Sequence, residues 1–160
     1  MNNPIINLEG VDIHQMEQQI FSNITLKIAA GDFIYLVGET GSGKSSLLKA
    51  LYGEVKVSAG NISLSEIDLN KIKAKEIPYL RRKLGIVFQD FQLLSDRTVF
   101  DNLSFVLKAT GWKDKTKISE RINEVLESVH IIEVKDKMPY TLSGGEQQRA
   151  AIARALLNHP

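Results

Sequence analysis

The feature that most constrains this chain is an apolar run that passes into a glycine-rich loop and then into a helical pattern. The run is Phe33-Ile34-Tyr35-Leu36-Val37, and it lacks the alternation of a half-exposed strand. Such a run is typical of a strand buried on both faces, as in a parallel sheet. A helical pattern follows over residues 45–52, with Gly53 placed as its C-terminal cap. The sequence therefore predicts a strand–loop–helix unit of the α/β class.

The loop in this unit reads Gly38-Glu39-Thr40-Gly41-Ser42-Gly43-Lys44-Ser45, which fits the phosphate-binding pattern G-x-x-x-x-G-K-[ST], the Walker A motif. Its glycines let successive N–H groups face phosphate oxygens, and the dipole of the following helix adds positive potential. Lys44 can reach the β- and γ-phosphates, and the Ser45 hydroxyl can bind Mg²⁺. A plain glycine-rich turn is the alternative, although such placed residues arise by chance in roughly one chain per thousand. We expect ATP to be bound by Gly38, Glu39, Thr40, Gly41, Ser42, Gly43, Lys44, Ser45 and Ser46.

Composition excludes several other classes of function. The formal net charge of +1 gives no strong field that would favour nucleic acid. The absence of cysteine excludes disulfides, thiolate metal sites and a thiol nucleophile. The chain opens on no leader-like segment, and no apolar run approaches the length of a membrane span. We therefore expect a soluble, cytoplasmic protein that does not bind nucleic acid and that meets a membrane only through a partner.

The rest of the chain changes from a β-rich to a helical pattern near residue 98. Short apolar or alternating segments predict strands, Gly-containing triplets predict turns, and apolar residues at helical spacing predict helices. The strands are expected at residues 5–8, 24–28, 62–64 and 84–88, the turns at 30–32 and 59–61, and the helices at 99–107, 118–129 and after Ser143.

The stretch Leu142-Ser143-Gly144-Gly145-Glu146-Gln147-Gln148-Arg149 resembles the LSGGQ signature of ATP-binding-cassette (ABC) ATPases, with Glu146 in place of the usual glutamine. Ser143 is a good N-cap, and two glycines leave the helix start bare enough for a phosphate to approach. The resemblance implies that Ser143, Gly144, Gly145 and Glu146 contact ATP held by the Walker loop of a second subunit in a homodimer. A capped surface helix is the alternative.

The same resemblance implies roles for two further residues. Gln89 follows the strand expected at residues 84–88 and matches the family's Q-loop glutamine, which contacts Mg²⁺ and the attacking water. Lys44 and Gln89 are thus the residues expected to act in catalysis. His14 falls where the family places an aromatic residue that stacks on adenine. A surface glutamine and a surface-loop histidine are the alternatives.

Residues 77–85 and 87–99, above all Asp96-Arg97-Thr98-Val99, are similar to the FtsE family of bacterial cell-division ATPases. This resemblance implies an ATPase subunit on the inner face of the cell membrane, coupled to an integral membrane partner of FtsX type. The helical part between Gln89 and Ser143 would face that partner. The alternatives are a subunit of a lipoprotein-releasing or macrolide-type exporter, and a nucleotide-binding fragment without turnover. A chromosome-type cassette ATPase would need long heptad repeats, and only short amphipathic helices are expected here.

The resemblance predicts an α/β P-loop NTPase of ABC type with an incomplete core sheet, an antiparallel β part and a helical subdomain. We expect residues 1–88 to form the β-rich and P-loop part, and residues 89–160 the helical part with the signature helix. The family also needs an apolar strand ending in Asp-Glu, and the sequence contains none. We therefore expect the N-terminal part of a longer ATPase, or a truncated product, that lacks a catalytic base and turnover of its own.

Overall fold

The computed structural model describes residues 4–15 and 18–160. They divide into two compact units, Met1–Arg81 (unit 1) and Arg82–Pro160 (unit 2). Unit 1 contains an antiparallel sheet with helices, and unit 2 is helical. No helix among the described residues is long and apolar enough to span a bilayer.

The sheet of unit 1 is antiparallel, and within the described residues its strand order is β2-β1-β3-β4. β1 (Ile6–Gln15) lies in the middle, paired with β2 (Gln18–Ile28) from Ile6↔Ile28 and with β3 (Val57–Leu64) from Ile6↔Leu64. β4 (Ile67–Asp68) extends the other side of β3. The strands predicted at residues 5–8, 24–28 and 62–64 are confirmed, each as part of a longer strand.

The turn predicted at residues 59–61 is wrong, because these residues lie inside β3. The pairing with β1 is irregular at this point, and Gly60 has φ +79°. A Cβ atom at Gly60 would overlap the backbone carbonyl of Gly10 in β1. The glycine therefore serves a close approach between two strands at a bulge, which is the other common use of a glycine in a β pattern.

One face of the sheet packs against α1 (Lys44–Leu51), which confirms the helix predicted at residues 45–52. Gly53 has φ +70° and its N–H donates to the carbonyl of Ala50, so it ends the helix as expected. The buried residues of this core are Leu8, Val11, Ile13, Leu47, Ala50 and Ile62. Their burial supports the start of α1 from the sheet side.

The two buried strands predicted at residues 33–37 and 84–88 are wrong. Neither segment forms a strand in the structure, and Phe33, Tyr35 and Val37 are 79%, 78% and 83% exposed. An apolar run without alternation needs strands on both sides and helices on both faces, and the described part of the chain supplies neither to residues 33–37. The Phe33 and Tyr35 rings pack on each other, edge to face, with centroids 5.0 Å apart.

Three helices form unit 2: α3 (Val99–Ala109), α4 (Lys115–Ser128) and α5 (Gly144–Leu156). They confirm the helices predicted at residues 99–107, 118–129 and after Ser143. A further helix, α2 (Ile77–Arg82), runs up to the first residue of unit 2, and short 3-10 helices occur at Ala74–Glu76, Ile132–Val134 and Pro139–Thr141.

Side-chain caps and an apolar face explain why these helices form. Thr98 caps α3 by accepting from the N–H of Asp101, and Asp114 caps α4 by accepting from two N–H groups. Each helix turns its apolar stripe inward, as its period predicts. The core of unit 2 consists of Val99, Leu103, Leu107, Ile118, Ile122, Val125, Leu126, Ile131, Val134, Leu142, Ala150, Ala153 and Leu157.

Candidate functional site

The loop before α1 is organised around the ammonium group of Lys44. Its Nζ donates to the carbonyl oxygens of Gly38 (2.8 Å) and Glu39 (2.7 Å) and lies 3.4 Å from the Ser42 hydroxyl. Ser42 also closes a turn by donating its N–H to Glu39. The ammonium is therefore held across the loop, next to the N-terminal end of a helix. A compact cation beside the positive end of a helix dipole suits an anion such as a phosphate.

Gly43 must be glycine for two separate reasons. It caps α1 in the left-handed conformation, with φ +88°, which a side chain disfavours. A Cβ atom there would also overlap Cγ2 of Ile20 and lie 2.7 Å from the Phe21 ring, both in β2. Gly41 shares the left-handed conformation, with φ +84°, yet a Cβ at that position would meet nothing within 4 Å. The start of α1 thus lies in close contact with β2 at Gly43.

The remaining residues of the loop differ in their access to solvent. Residues 38–42 and Ser45 are exposed, so the Ser45 hydroxyl is available to a metal ion or a phosphate. Ser46 is buried in the first turn of α1.

His14 lies in β1 and makes a short contact with Ser58 of β3. Its Nδ1 is 2.6 Å from the Ser58 hydroxyl, which itself donates to the carbonyl of Asp12 at 3.1 Å. Because the hydroxyl hydrogen goes to Asp12, the hydroxyl accepts from Nδ1–H of His14, and a neutral ring then carries no proton on Nε2. The edge of the ring is fixed by this pair. Stacking of His14 on adenine stays a prediction.

The predicted signature residues form the exposed start of α5. Ser143 caps the helix by accepting from the N–H of Glu146, and the Glu146 carboxylate accepts from the N–H (2.7 Å) and hydroxyl (2.6 Å) of Ser143. These two hydrogen bonds hold the pKa of Glu146 below its usual value. A Cβ atom at Gly144 would meet nothing within 4 Å. The N-terminal end of α5 is therefore open to an incoming group, and the Ser143 hydroxyl is hydrogen-bonded to the Glu146 carboxylate.

The reciprocal pair of Ser143 and Glu146 is a capping box, and the sequence signal for it was missed. A serine followed three residues later by glutamate is the usual signature of this cap. Glu146 was interpreted only as a departure from the glutamine of the LSGGQ pattern. In the structure, Glu146 has a local role of its own, as the acidic partner in the cap of α5.

Gln89 is exposed and lies in a tight turn rather than at the end of a strand. The N–H of Phe91 donates to the carbonyl of Phe88 at 3.1 Å, so Gln89 and Asp90 are the two central residues of the turn. Phe91 and Gln92 follow with φ of +55° and +48°. Left-handed backbone costs about 1–2 kcal/mol for each residue that carries a side chain.

Sequence reasoning missed two side chains, one that holds this turn and one that holds the loop after it. Arg154 of α5 donates to the carbonyls of Phe91 (2.7 Å) and Gln92 (2.5 Å). Asn102 of α3, which is buried, binds backbone groups of the following loop from Leu94 onward. Neither contact has a signal in the sequence, because the partners are backbone atoms.

The structure therefore places the candidate residues in two groups. The Walker residues and His14 belong to unit 1, while Gln89 and the signature residues belong to unit 2. Among the described residues no group of three His, Cys, Asp or Glu side chains could hold a metal ion.

The chain is similar in sequence to a known family and to several of its members. The sequence model of the family described as "ABC transporter" matches residues 21–160. The cell division ATP-binding protein FtsE of Bacillus subtilis (strain 168) is 45% identical over 139 residues, which are 87% of this chain and 60% of the relative. FtsE of Streptococcus pneumoniae (strain D39) is 42% identical over 137 residues, or 86% and 59%. The chain thus spans about three fifths of the length of these relatives.

Solved structures of the same kind also match. The dimeric structure of MJ0796, a bacterial ABC transporter cassette, superposes with a TM-score of 0.85 at 32% identity, covering 97% of this chain and 70% of that chain. The cbiO1 structure from Clostridium perfringens, part of an ABC transporter complex, gives the same TM-score and identity over 99% of this chain and 63% of that one. The expected α/β fold of ABC type is confirmed, and the chain belongs to the ABC transporter family.

Proposed function

We propose that this chain is the ATP-binding portion of an FtsE-like ABC ATPase subunit. One observation carries the proposal: the Lys44 ammonium is held across a Walker A loop, directly before the exposed hydroxyl of Ser45. The similarity to several FtsE proteins supports it further.

The bound state follows from the groups that the loop presents. Phosphate oxygens of ATP would replace the Gly38 and Glu39 carbonyls as partners of Lys44, and backbone N–H groups of the loop would donate to the same phosphates. The Ser45 hydroxyl is a hard oxygen ligand, as Mg²⁺ requires, and most of the remaining ligands would be phosphate oxygens and water. Gln89 would act on the metal and the attacking water, as its match to the Q-loop implies.

We further propose that ATP joins two copies of this chain in a homodimer. Ser143, Gly144 and Gly145 would meet the γ-phosphate held by the partner's Walker loop. The open space at Gly144 supports this, because a phosphate can come close to the helix start. Glu146 adds a condition: its carboxylate holds the Ser143 hydroxyl, so that hydrogen must turn from the carboxylate to the phosphate on docking.

ATP hydrolysis is proposed for a whole protein of this family rather than for these 160 residues. Lys44 and the backbone donors can stabilise charge on the transferring phosphoryl group. The sequence contains no apolar segment ending in Asp-Glu to supply the base. We expect the chain alone to bind ATP weakly and to release phosphate only at background rate.

The membrane partner is proposed to be an integral protein of FtsX type, with this chain cytoplasmic and peripheral on the inner face of the membrane. The helical segment between Gln89 and Ser143 would face that partner. On its surface Arg97 forms an ion pair with Asp96, and its guanidinium lies 5.1 Å from the centroid of the Phe105 ring. Phe105 is 52% exposed, and such a cation–aromatic pair is common in protein interfaces.

A role in transport rather than cell division is the second candidate. The methionine import ATP-binding protein MetN 2 of Salmonella paratyphi A is 39% identical over 138 residues, covering 86% of this chain and 40% of that protein. Co-purification of this chain with FtsX or with a substrate importer's membrane subunit would distinguish the two.

The test of ATP binding compares two lysines on the same helix. Lys44→Ala removes the cation at the loop and should weaken binding of a fluorescent ATP analogue about tenfold or more, since charged hydrogen bonds contribute about 1.5–3 kcal/mol. Lys49→Ala removes a lysine that pairs with Glu54 and should leave the affinity unchanged. Unchanged affinity in Lys44→Ala would refute the Walker assignment.

The test of the dimer uses Gly144→Asp, which puts a carboxylate against the partner's γ-phosphate. It should leave ATP binding intact and prevent ATP-driven dimerisation, measured by light scattering. Asn61→Asp adds a carboxylate to an exposed position of β3 and serves as the charge control. A Gly144→Asp protein that dimerises like its control would overturn the clamp.

A further inference from the structure

We propose that Arg154 is a positioning residue for Gln89. Its side chain fixes the turn that carries Gln89 to α5, the helix whose N-cap is Ser143. The inference rests on the proposed function for the roles of Gln89 and Ser143. The geometry that carries it lies entirely within unit 2.

The turn around Gln89 is closed by short backbone contacts. Phe91 donates its N–H to Phe88 at 3.1 Å, and Gln92 donates its N–H to Asp90 at 2.6 Å. The direction in which Gln89 leaves the backbone is therefore set by the conformation of the four residues around it. A loss of these contacts at Phe91 and Gln92 would release the turn that carries Gln89.

The residues that follow Gln89 adopt a conformation that they do not favour by themselves. Phe91 and Gln92 are both left-handed, with φ of +55° and +48°. Side-chain-bearing residues occupy this region rarely, and two in succession more rarely still. A contact from outside the turn is needed to hold them there.

Arg154 supplies that contact. Its two terminal nitrogens donate to two consecutive carbonyls, Nη2 to Phe91 (2.7 Å) and Nη1 to Gln92 (2.5 Å). The planar fork of the guanidinium fits two adjacent acceptors, whereas an ammonium group is a single point donor. Burial lowers the pKa of Arg154, and the nearby Asp90 carboxylate opposes that shift. The cation is thus partly desolvated, which strengthens its hydrogen bonds to the turn.

The place of Arg154 along α5 gives the contact its meaning. The helix runs from Gly144 to Leu156, with Ser143 as its N-cap and Arg154 in its last turn. A helix is stiff over this length, so a displacement of its start moves Arg154 and the two carbonyls with it. The Arg154 side chain therefore links the position of Ser143, at the start of α5, to the orientation of Gln89.

The experiment measures amide hydrogen exchange of the 160-residue chain, free and with Mg²⁺ and a non-hydrolysable ATP analogue. The test variant is Arg154→Lys, which keeps the charge and loses the fork. The matched control is Arg121→Lys, because Arg121 donates in the same way to two consecutive carbonyls, Leu156 and Leu157, and does not contact the turn. Circular dichroism establishes that both variants keep their helices.

In the free chains, Arg154→Lys should raise the exchange rate of residues 88–93 at least about tenfold over wild type, while Arg121→Lys leaves that segment unchanged. With nucleotide, wild type should gain protection at residues 38–46 and at 88–93. Arg154→Lys should keep the protection at residues 38–46 and lose that at 88–93. A general loss of stability would instead lower protection at both.

Two other outcomes distinguish a failure of the positioning role from a failure of ATP binding. Wild-type protection of residues 88–93 in Arg154→Lys, free and bound, would overturn the positioning role and leave the ATP site intact. Absence of protection at residues 38–46 in wild type would instead contradict ATP binding itself, and with it the role assigned to Gln89.

Discussion

The side-chain amide of Asn102 and the backbone of Leu94 exchange two hydrogen bonds. The N–H of Leu94 donates to Oδ1 of Asn102 at 2.7 Å, and Nδ2 donates back to the carbonyl of Leu94 at 3.0 Å. Nδ2 also lies 3.2 Å from the carbonyl of Arg97 and 2.9 Å from that of Thr98. One buried amide thus satisfies the backbone of the loop that leads into α3.

Asn102→Ala should destabilise unit 2 by about 2–4 kcal/mol, because it leaves several backbone groups unpaired at a buried site. Asn102→Asp has the same shape but loses every donor, so it should be no better than alanine at neutral pH. Ser104→Ala is the control, since Ser104 is as buried on the same helix, 3% exposed in both cases. Urea unfolding measures all three, and equal losses for Asn102→Ala and Ser104→Ala would contradict the role of the amide.

The glycines at 41 and 43 should differ sharply in their response to alanine. Both have left-handed backbone, which costs about 1–2 kcal/mol once a Cβ is present. Gly43→Ala also forces an overlap with Ile20 and Phe21, which adds about 1–3 kcal/mol of overpacking. Thermal unfolding of the two variants should rank Gly43→Ala as the less stable, and the reverse order would show that the close contact at Gly43 is wrong.

Glu146 should make stability depend on pH in the acid range. Its pKa is lowered from 4.5 in the folded state by the hydrogen bonds from Ser143, so it adds stability above pH 4.5. That contribution is lost as the pH falls from 4.5 through the lowered folded value. Glu146→Gln keeps an acceptor for the capping box and cannot titrate there. The difference in urea midpoint between wild type and this variant should shrink from pH 6 to pH 3, and a constant difference would exclude a titrating Glu146.

The exposed run at residues 33–37 should make the chain bind apolar dyes and associate with itself. Tyr35→Lys places a charge in the middle of this patch, so it should reduce 8-anilinonaphthalene-1-sulfonate fluorescence and raise solubility. The melting temperature should stay close to that of wild type, because Tyr35 is 78% exposed. Leu94→Lys, at a less exposed position of unit 2, tests whether any added charge has the same effect.

The sequence predicted those features whose cause is local. The Walker loop was recognisable because Gly43 and Lys44 act through their own backbone angles and reach. The helices α3, α4 and α5 followed from apolar spacing and from caps such as Ser143. Each of these signals is carried by residues a few positions apart, and the structure contains each of them.

The features that depended on distant neighbours were not predicted. Residues 33–37 have the composition of a buried strand, but burial is decided by the strands and helices around them. The sequence around Gly60 predicts a turn, whereas the structure shows that this residue lies against the backbone of Gly10 in the neighbouring strand. Arg154 reaches carbonyls 62 and 63 residues away, and a backbone acceptor leaves no mark on the residue type that provides it.

The pairing of Ile6 with Leu64 has a consequence for the timing of synthesis. These residues are 58 positions apart (64 − 6), so β1 has no β3 to pair with until the ribosome has made the whole intervening segment. At about 5–20 residues per second this delay is about 3–12 s. Residues 33–37 emerge during it, alongside a half-built sheet. In the second unit α3 and α4 are adjacent in sequence and pack on each other, so this pair can form within milliseconds of leaving the exit tunnel. The first half of this nascent chain therefore spends several seconds with an incomplete sheet and an exposed apolar run.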